Sequence, residues 1–191
     1  MTRLFAIILA GGRSARMGRD KGNLRLEGRS LVARAVGACA GCDGIVVVAP
    51  ELPDEVDPGA VGLALEDPPF GGPVAGIAAG LEALPTCRPS DEVLLLACDL
   101  PLVVDVVQHL RAVPLGADGA CLVDATGYSQ FLAGRYRRPA LTGALPSLTQ
   151  ARGRSVRSVL GRLDLALIAA PGITHDLDTP ADAAAAGVQL D

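Results

Sequence analysis

Residue types suited to phosphate chemistry gather in one stretch near the start of the chain, Leu9-Ala10-Gly11-Gly12-Arg13-Ser14-Ala15-Arg16-Met17-Gly18-Arg19-Asp20-Lys21. Adjacent glycines let a backbone turn tightly and bring its N–H groups close to an anion. Arg16 offers a forked guanidinium to phosphate oxygens and Lys21 a compact ammonium. Two common phosphate loops do not fit. Gly11 and Gly12 adjoin, which excludes Gly-x-Gly-x-x-Gly, and Gly18 precedes Arg-Asp-Lys, which excludes Gly-Lys-Ser/Thr. Two further short stretches carry carboxylates, Cys98-Asp99-Leu100-Pro101 and His175-Asp176-Leu177-Asp178.

Something must hold these stretches together. Leu4–Leu9 is a continuous apolar run ending at glycines and reads as a strand buried on both faces. Ser30 caps a helix through about Cys39, followed by a strand at Ile45–Val48. A Pro-rich loop, Pro50–Pro58, precedes a weaker strand at Leu63–Glu66. Pro73 opens a helix to about Leu84, then come a buried strand, Val93–Ala97, and a helix, Val103–Arg111. Later strands are expected at Ala120–Val123, Phe131–Tyr136 and Leu165–Ala169, with helices after Pro139, around Val156–Leu163 and from Pro180. Alternating strands and helices predict an α/β fold with a mainly parallel sheet covered by helices, in one domain over residues 1–191. Ligands in such sheets sit at the carboxyl ends of the strands. The three chemical stretches each follow a strand, so glycines, an arginine and three carboxylates are expected on one edge, with Asp99 two strands from the glycine loop.

Composition narrows the function classes. Half of the 191 residues are apolar, and with no Trp, two Tyr and three Phe the core must be aliphatic. So few aromatics and a formal charge of −4 argue against a nucleic-acid surface. The apolar run Leu4–Leu9 is too short for a spanning helix or a signal core, so no membrane partner is expected and the cytoplasm is the expected location. Five scattered cysteines do not form a secreted disulfide framework. Cys39 and Cys42 make a CxxC spacing without the second pair a zinc ribbon needs, and their Ala-rich surroundings read as those of inert buried thiols.

The full string Leu-Ala-Gly-Gly-x3-Arg-Met-Gly-x2-Lys resembles the signature of GT-A-like nucleotidyltransferases, most closely that of the MobA-type molybdenum cofactor guanylyltransferases. Further segments are similar in order: Glu66-Asp67 before Gly72-Pro73-Val74-Ala75-Gly76-Ile77, then Cys98-Asp99-Leu100-Pro101. The region Tyr128 to Leu160 follows, with Gln130 and Gly153-Arg154-Ser155-Val156-Arg157, and finally Asp178-Thr179-Pro180-Ala181-Asp182. The resemblance implies a three-layer, Rossmann-like nucleotidyltransferase fold, with a nucleotide part at about 1–105 and an acceptor part at about 106–191. It implies Mg²⁺-dependent transfer of GMP from GTP to the terminal phosphate of molybdopterin or Mo-molybdopterin. Leu9, Ala10, Gly11, Gly12 and Asp67 would contact the nucleotide. Lys21 and Arg16 would sit on its phosphates, and Asp99, with Asp178, would hold Mg²⁺. Gln130, Arg154 and Arg157 would meet the acceptor. Transient contact with cofactor-delivering or molybdoenzyme-maturation proteins is a further implied partnership.

There are departures and rivals. Relatives often place an Asn after the second strand, where this chain reads Val48-Ala49-Pro50, so that contact falls to backbone or is lost. Asp99 and Asp178 each have a plainer reading as helix caps, and the arginines as a solvated helix face. A cytidylyltransferase or another small-molecule phosphate nucleotidyltransferase keeps the chemistry and changes the substrate. Retention of Gly11 favours GTP. A non-catalytic nucleotide-binding module is a rival from another class, and a CxxC redox protein marked by a low-pKa Cys39 is a third.

Overall fold

The computed structural model describes residues 2–11, 24–85, 88–175, 177 and 179–189. The strands are β1 (Leu4–Leu9), β2 (Arg25–Leu26), β3 (Arg29–Ser30), β4 (Gly44–Val48), β5 (Gly62–Ala64), β6 (Glu92–Ala97), β7 (Gly119–Val123), β8 (Ser129–Arg137), β9 (Leu165–Ala169) and β10 (Val188–Gln189). The helices are α1 (Leu31–Ala38), α2 (Pro73–Ala83), α3 (Val103–Ala112), α4 (Arg138–Ala144), α5 (Leu148–Ala151), α6 (Val156–Leu160) and α7 (Pro180–Ala185).

The central sheet has seven strands in the order β5-β4-β1-β6-β8-β7-β9. Pairing is parallel except on the two sides of β8, so β8 alone among these runs against the others. The mainly parallel sheet expected from the sequence is therefore present. Alternation along β1 shows how the layers form. Ala6 and Ile8 face a core completed by Val32 and Ala35 of α1 and by Val103, Val106 and Leu110 of α3. Phe5 and Ile7 face the other core, with Val74, Ile77 and Leu81 of α2, Leu141 of α4 and Leu160 of α6. Three layers result, helices covering both sheet faces.

Local chemistry sets the helix starts. The Ser30 hydroxyl accepts the Ala33 N–H at 3.1 Å, as the capping reading expects. Gly72 precedes Pro73 at φ +91, a conformation that a side chain would strain. Gly80 of α2 lies so close to the sheet that a Cβ there would fall 2.7 Å from Ile7 Cγ2. No described helix is long and apolar enough to cross a membrane.

A second sheet, β10-β2-β3, lies outside the elements expected from the sequence. Its strands are two residues long, too short for any periodicity, and β2 and β3 turn through Glu27 and Gly28, both at positive φ. Leu24, Leu26, Leu31, Leu177, Ala183 and Val188 form its separate small core. Boundaries also moved: the weak strand is Gly62–Ala64, not Leu63–Glu66, and the helix near Val156 ends at Leu160.

Candidate functional site

β1 and β6 are direct neighbours, with Leu9 opposite Ala97. The spacing of two strands expected between the glycine loop and Asp99 is thus corrected to one. Cys98 N–H donates to Leu9 O at 3.0 Å, which seats the Asp99 turn against the start of the loop. On the other side of β1, the N–H groups of Ala10 and Gly11 both donate to Val48 O, at 2.9 and 2.8 Å. The Gly11 amide is therefore committed to the end of β4. A Cβ on Gly11 would reach only ordinary contact with Val48 O at 3.4 Å, so the missing side chain is not demanded by this packing. Gly12, Arg16 and Lys21 lie outside the described residues.

Asp99 is half-buried at the carboxyl end of β6. It does not cap α3: the cap position is Leu102, and no side chain bonds there. The plainer reading of Asp99 as a helix cap is thereby removed. The chain's closing segment comes to the same place, Leu177 N–H donating to Asp99 O at 3.1 Å while its side chain is fully buried. Asp176 and Asp178 lie outside the described residues. The cap of α7 is Thr179, which exchanges bonds with Asp182 in a capping box, so the plainer role offered for Asp178 is already filled. His175 is exposed and its Nε2 sits 3.5 Å from Asp182 Oδ1. No group of three or more His, Cys, Asp or Glu able to hold a metal occurs among the described residues. Asp99 is a hard oxygen donor of the kind suited to Mg²⁺ or Mn²⁺.

The loop after β5 carries Asp67 at the same sheet edge, exposed. Around it, Glu66 accepts the Gly71 N–H at 3.0 Å, Gly153 N–H donates to Gly71 O at 2.9 Å, and the Arg152 guanidinium donates to Pro68 O. Arg152, although exposed, thereby ties the connection before α6 to the loop after β5. A Cβ on Gly71 would sit 2.8 Å from Ala75 Cβ and 3.0 Å from Arg152, so this contact requires glycine.

The turn between β7 and β8 completes the edge, and the sequence reading did not single out its organiser. Asp124 accepts from Thr126 N at 2.8 Å, Thr126 Oγ1 at 2.7 Å and Tyr128 N at 3.0 Å, while Gln130 Nε2 donates to its second oxygen at 2.9 Å. The Thr126 hydroxyl first, then the Tyr128 amide, hold its carboxyl down at about 2. Asp-x-Thr-Gly was the available signal, an Asp whose side chain closes its own turn. Gln130 thus keeps its carbonyl and one N–H for other partners. Arg157 is exposed and places its guanidinium carbon 5.1 Å from the centroid of the half-exposed Tyr128 ring. Arg154 is exposed on the same connection.

Of the predicted residues, the structure gathers Leu9, Ala10, Gly11, Asp67, Asp99, Gln130, Arg154 and Arg157 toward the carboxyl edge of the sheet or the connections beside it. A protein of Nostoc sp. named "Probable molybdenum cofactor guanylyltransferase" is 35% identical over 195 residues, 96% of this chain and 90% of that one. The crystal structure of molybdopterin-guanine dinucleotide biosynthesis protein A from Archaeoglobus fulgidus superposes with a TM-score of 0.63 at 21% identity, covering 96% of both chains. A Mycobacterium tuberculosis protein crystallised with manganese gives a TM-score of 0.63 at 15% identity over 97% of this chain and 98% of that one. Residues 6–166 match the MobA-like NTP transferase domain, and the chain belongs to that family.

Proposed function

We propose that the chain transfers GMP from GTP to the terminal phosphate of molybdopterin, or of Mo-molybdopterin, releasing pyrophosphate and giving the guanine dinucleotide cofactor. The observation that carries this reading is the 35% identity, across 96% of the chain, to a protein named for that activity. The juxtaposition of Leu9–Gly11, Asp99 and Leu177 supports it, because a triphosphate lying along the loop would have its α-phosphorus near the half-buried Asp99 carboxylate.

In the reaction an oxygen of the acceptor phosphate bonds to the α-phosphorus of GTP while the bond to the bridging oxygen breaks. Both reactants are anionic, so their repulsion is the first barrier. Mg²⁺ held by Asp99 and Asp178 would offset that repulsion and polarise the phosphate oxygens. Lys21 and Arg16 would balance the charge growing on pyrophosphate, and Gly12 and Asp67 would hold the nucleotide. An acceptor phosphate is already deprotonated at neutral pH, so no general base is required. Positioning and electrostatics then carry most of the catalysis. Arg154 and Arg157 would bind the acceptor phosphate. The free amide groups of Gln130 would read the pterin edge, held in place by Asp124. The reading places the enzyme in the cytoplasm, with transient contact to cofactor-delivering or molybdoenzyme-maturation proteins.

Pyrophosphate release in the presence of Mg²⁺ and molybdopterin, measured with ATP, GTP, CTP and UTP in turn, tests the reading. Turnover with GTP alone is expected. Turnover with CTP alone, or with none of the four, overturns it.

A further inference from the structure

The edge of the sheet opposite the nucleotide loop holds a feature that guanylyl transfer does not use. α1 ends at Cys39, and the chain then turns through Ala40 and Gly41, at φ +84, to Cys42. Cys42 N–H donates to Cys39 O at 3.0 Å. A turn of this kind keeps the two Cα atoms within about 7 Å, close to the 4.4–6.8 Å that a disulfide spans. Cys39 is fully buried, while Cys42 is partly exposed. Arg111, from the last turn of α3, donates to Cys42 Sγ at 3.2 Å and to Ala40 O at 3.3 Å. The partial exposure of Cys42 itself gives this corner access to solvent.

We propose that Cys42 is a modification site: a thiolate backed by Arg111 and open to peroxides and other soft electrophiles, with Cys39 as the thiol that resolves its oxidised form into a disulfide. The electrostatics agree. The Cys39 S–H bond to Cys42, then Arg111, hold the Cys42 thiol down at about 7, against burial and the nearby Asp43 carboxylate, which both push it up. Cys39 is pushed far up, first because its proton is the one shared with Cys42 and then by burial. From the sequence both thiols are expected to be inert, with Cys39 the one to carry any low pKa; the guanidinium of Arg111 instead bonds Cys42.

With hydrogen peroxide the chemistry balances. The Cys42 thiolate bonds to one peroxide oxygen, the O–O bond breaks, and the departing hydroxide is protonated to water, leaving a sulfenic acid. That step removes the anion to which Cys39 was bonded. Cys39 sulfur then bonds to Cys42 sulfur, the S–O bond breaks, and hydroxide leaves with the Cys39 proton as a second water. Two thiols are oxidised and one peroxide is reduced.

The test is site-resolved alkylation and peroxide treatment of the full chain. Cleavage before aspartates releases residues 20–42, whose only cysteines are Cys39 and Cys42. Iodoacetamide should label Cys42 with a midpoint near its lowered value, and Arg111→Gln should move the midpoint toward the ordinary thiol value of about 8.5 and slow labelling at neutral pH severalfold. After peroxide the wild-type peptide should be lighter by two hydrogens. In Cys39→Ser a dimedone-trapped sulfenic acid should appear on Cys42 instead. A Cys42 midpoint at the ordinary value, no response to Arg111→Gln, or no disulfide in the wild-type peptide would overturn the proposal.

Discussion

Leu177 joins the chain's last described segment to Asp99, the aspartate proposed to hold the metal, so replacing it separates packing from metal binding. Its side chain is fully buried among Leu24, Leu26, Leu31, Ala183 and Val188, and its N–H bonds to Asp99 O. Leu177→Ala removes three carbon groups, about 2.4 kcal/mol at ~0.8 kcal/mol each. The cavity left behind raises the cost toward 3 kcal/mol, within the ~2–5 kcal/mol seen for such truncations. In a chain of 191 residues that lowers Tm by roughly 6–12 °C, at about 2–4 °C per kcal/mol. The volume-conserving Leu177→Met should cost less than about 1.5 kcal/mol. Thermal unfolding by circular dichroism reads the first effect. The second is read at 20 °C as the Mg²⁺ concentration giving half-maximal pyrophosphate release, expected to rise severalfold in Leu177→Ala and little in Leu177→Met. If stability falls as calculated while the Mg²⁺ requirement stays fixed, the closing segment is only a packing element and its aspartates play no part in the metal site.

Three other outcomes follow from particular contacts. Gly76→Ala should stabilise by about 0.5–1 kcal/mol through helix propensity, since its Cβ would meet Val48 Cγ1 at an ordinary 3.4 Å. Gly80→Ala should destabilise by about 1 kcal/mol net, because overpacking costs ~1–3 kcal/mol where the new Cβ falls 2.7 Å from Ile7; urea midpoints of the pair showing the same sign would be contrary. Asp91 accepts from Arg3 Nε at 3.2 Å and Nη2 at 2.7 Å, and this bonding holds its carboxyl at about 2, below the ordinary 3.8. A depressed carboxylate stabilises the fold above its unfolded value and loses that contribution as pH falls through the folded one, so acid unfolding should set in between pH 4 and pH 2 and be less steep in Asp91→Asn; identical profiles would refute it. Tyr128→Ala should raise the acceptor KM about two- to fivefold, the equivalent of ~0.5–1 kcal/mol for an exposed cation–π pair, with the GTP KM unchanged.

How much of this was legible in the sequence depends on the range of the interactions. Leu4–Leu9 and Val93–Ala97 are buried on both faces, and such strands announce themselves as apolar runs; Ser30 and Pro73 mark helix starts through local bonding that any reader of the chain can see. The adjacency of β1 and β6 was not visible, because strand order depends on crossovers and leaves no local trace. The β10-β2-β3 sheet was missed for a related reason: a two-residue strand has no pattern, and its first partner, Val188, is more than a hundred residues away. At the site, Asp99 stood out by its neighbours in sequence. What Asp99 touches did not, since Leu177 meets it only through the fold. The Asp124 turn was readable from Asp-x-Thr-Gly, but its hold on Gln130 became apparent only with the strands in place.

Manganese binding tests the central claim most directly, because Mn²⁺ substitutes for Mg²⁺ among oxygen ligands and its paramagnetic signal reports free ion. Titrating Mn²⁺ into wild-type protein with GTP, and into Asp99→Asn with GTP, should show one ternary site in the first and at least a tenfold weaker one in the second, with both proteins melting at similar temperatures. Equal Mn²⁺ binding by the two proteins would contradict a nucleotide–metal site built on Asp99.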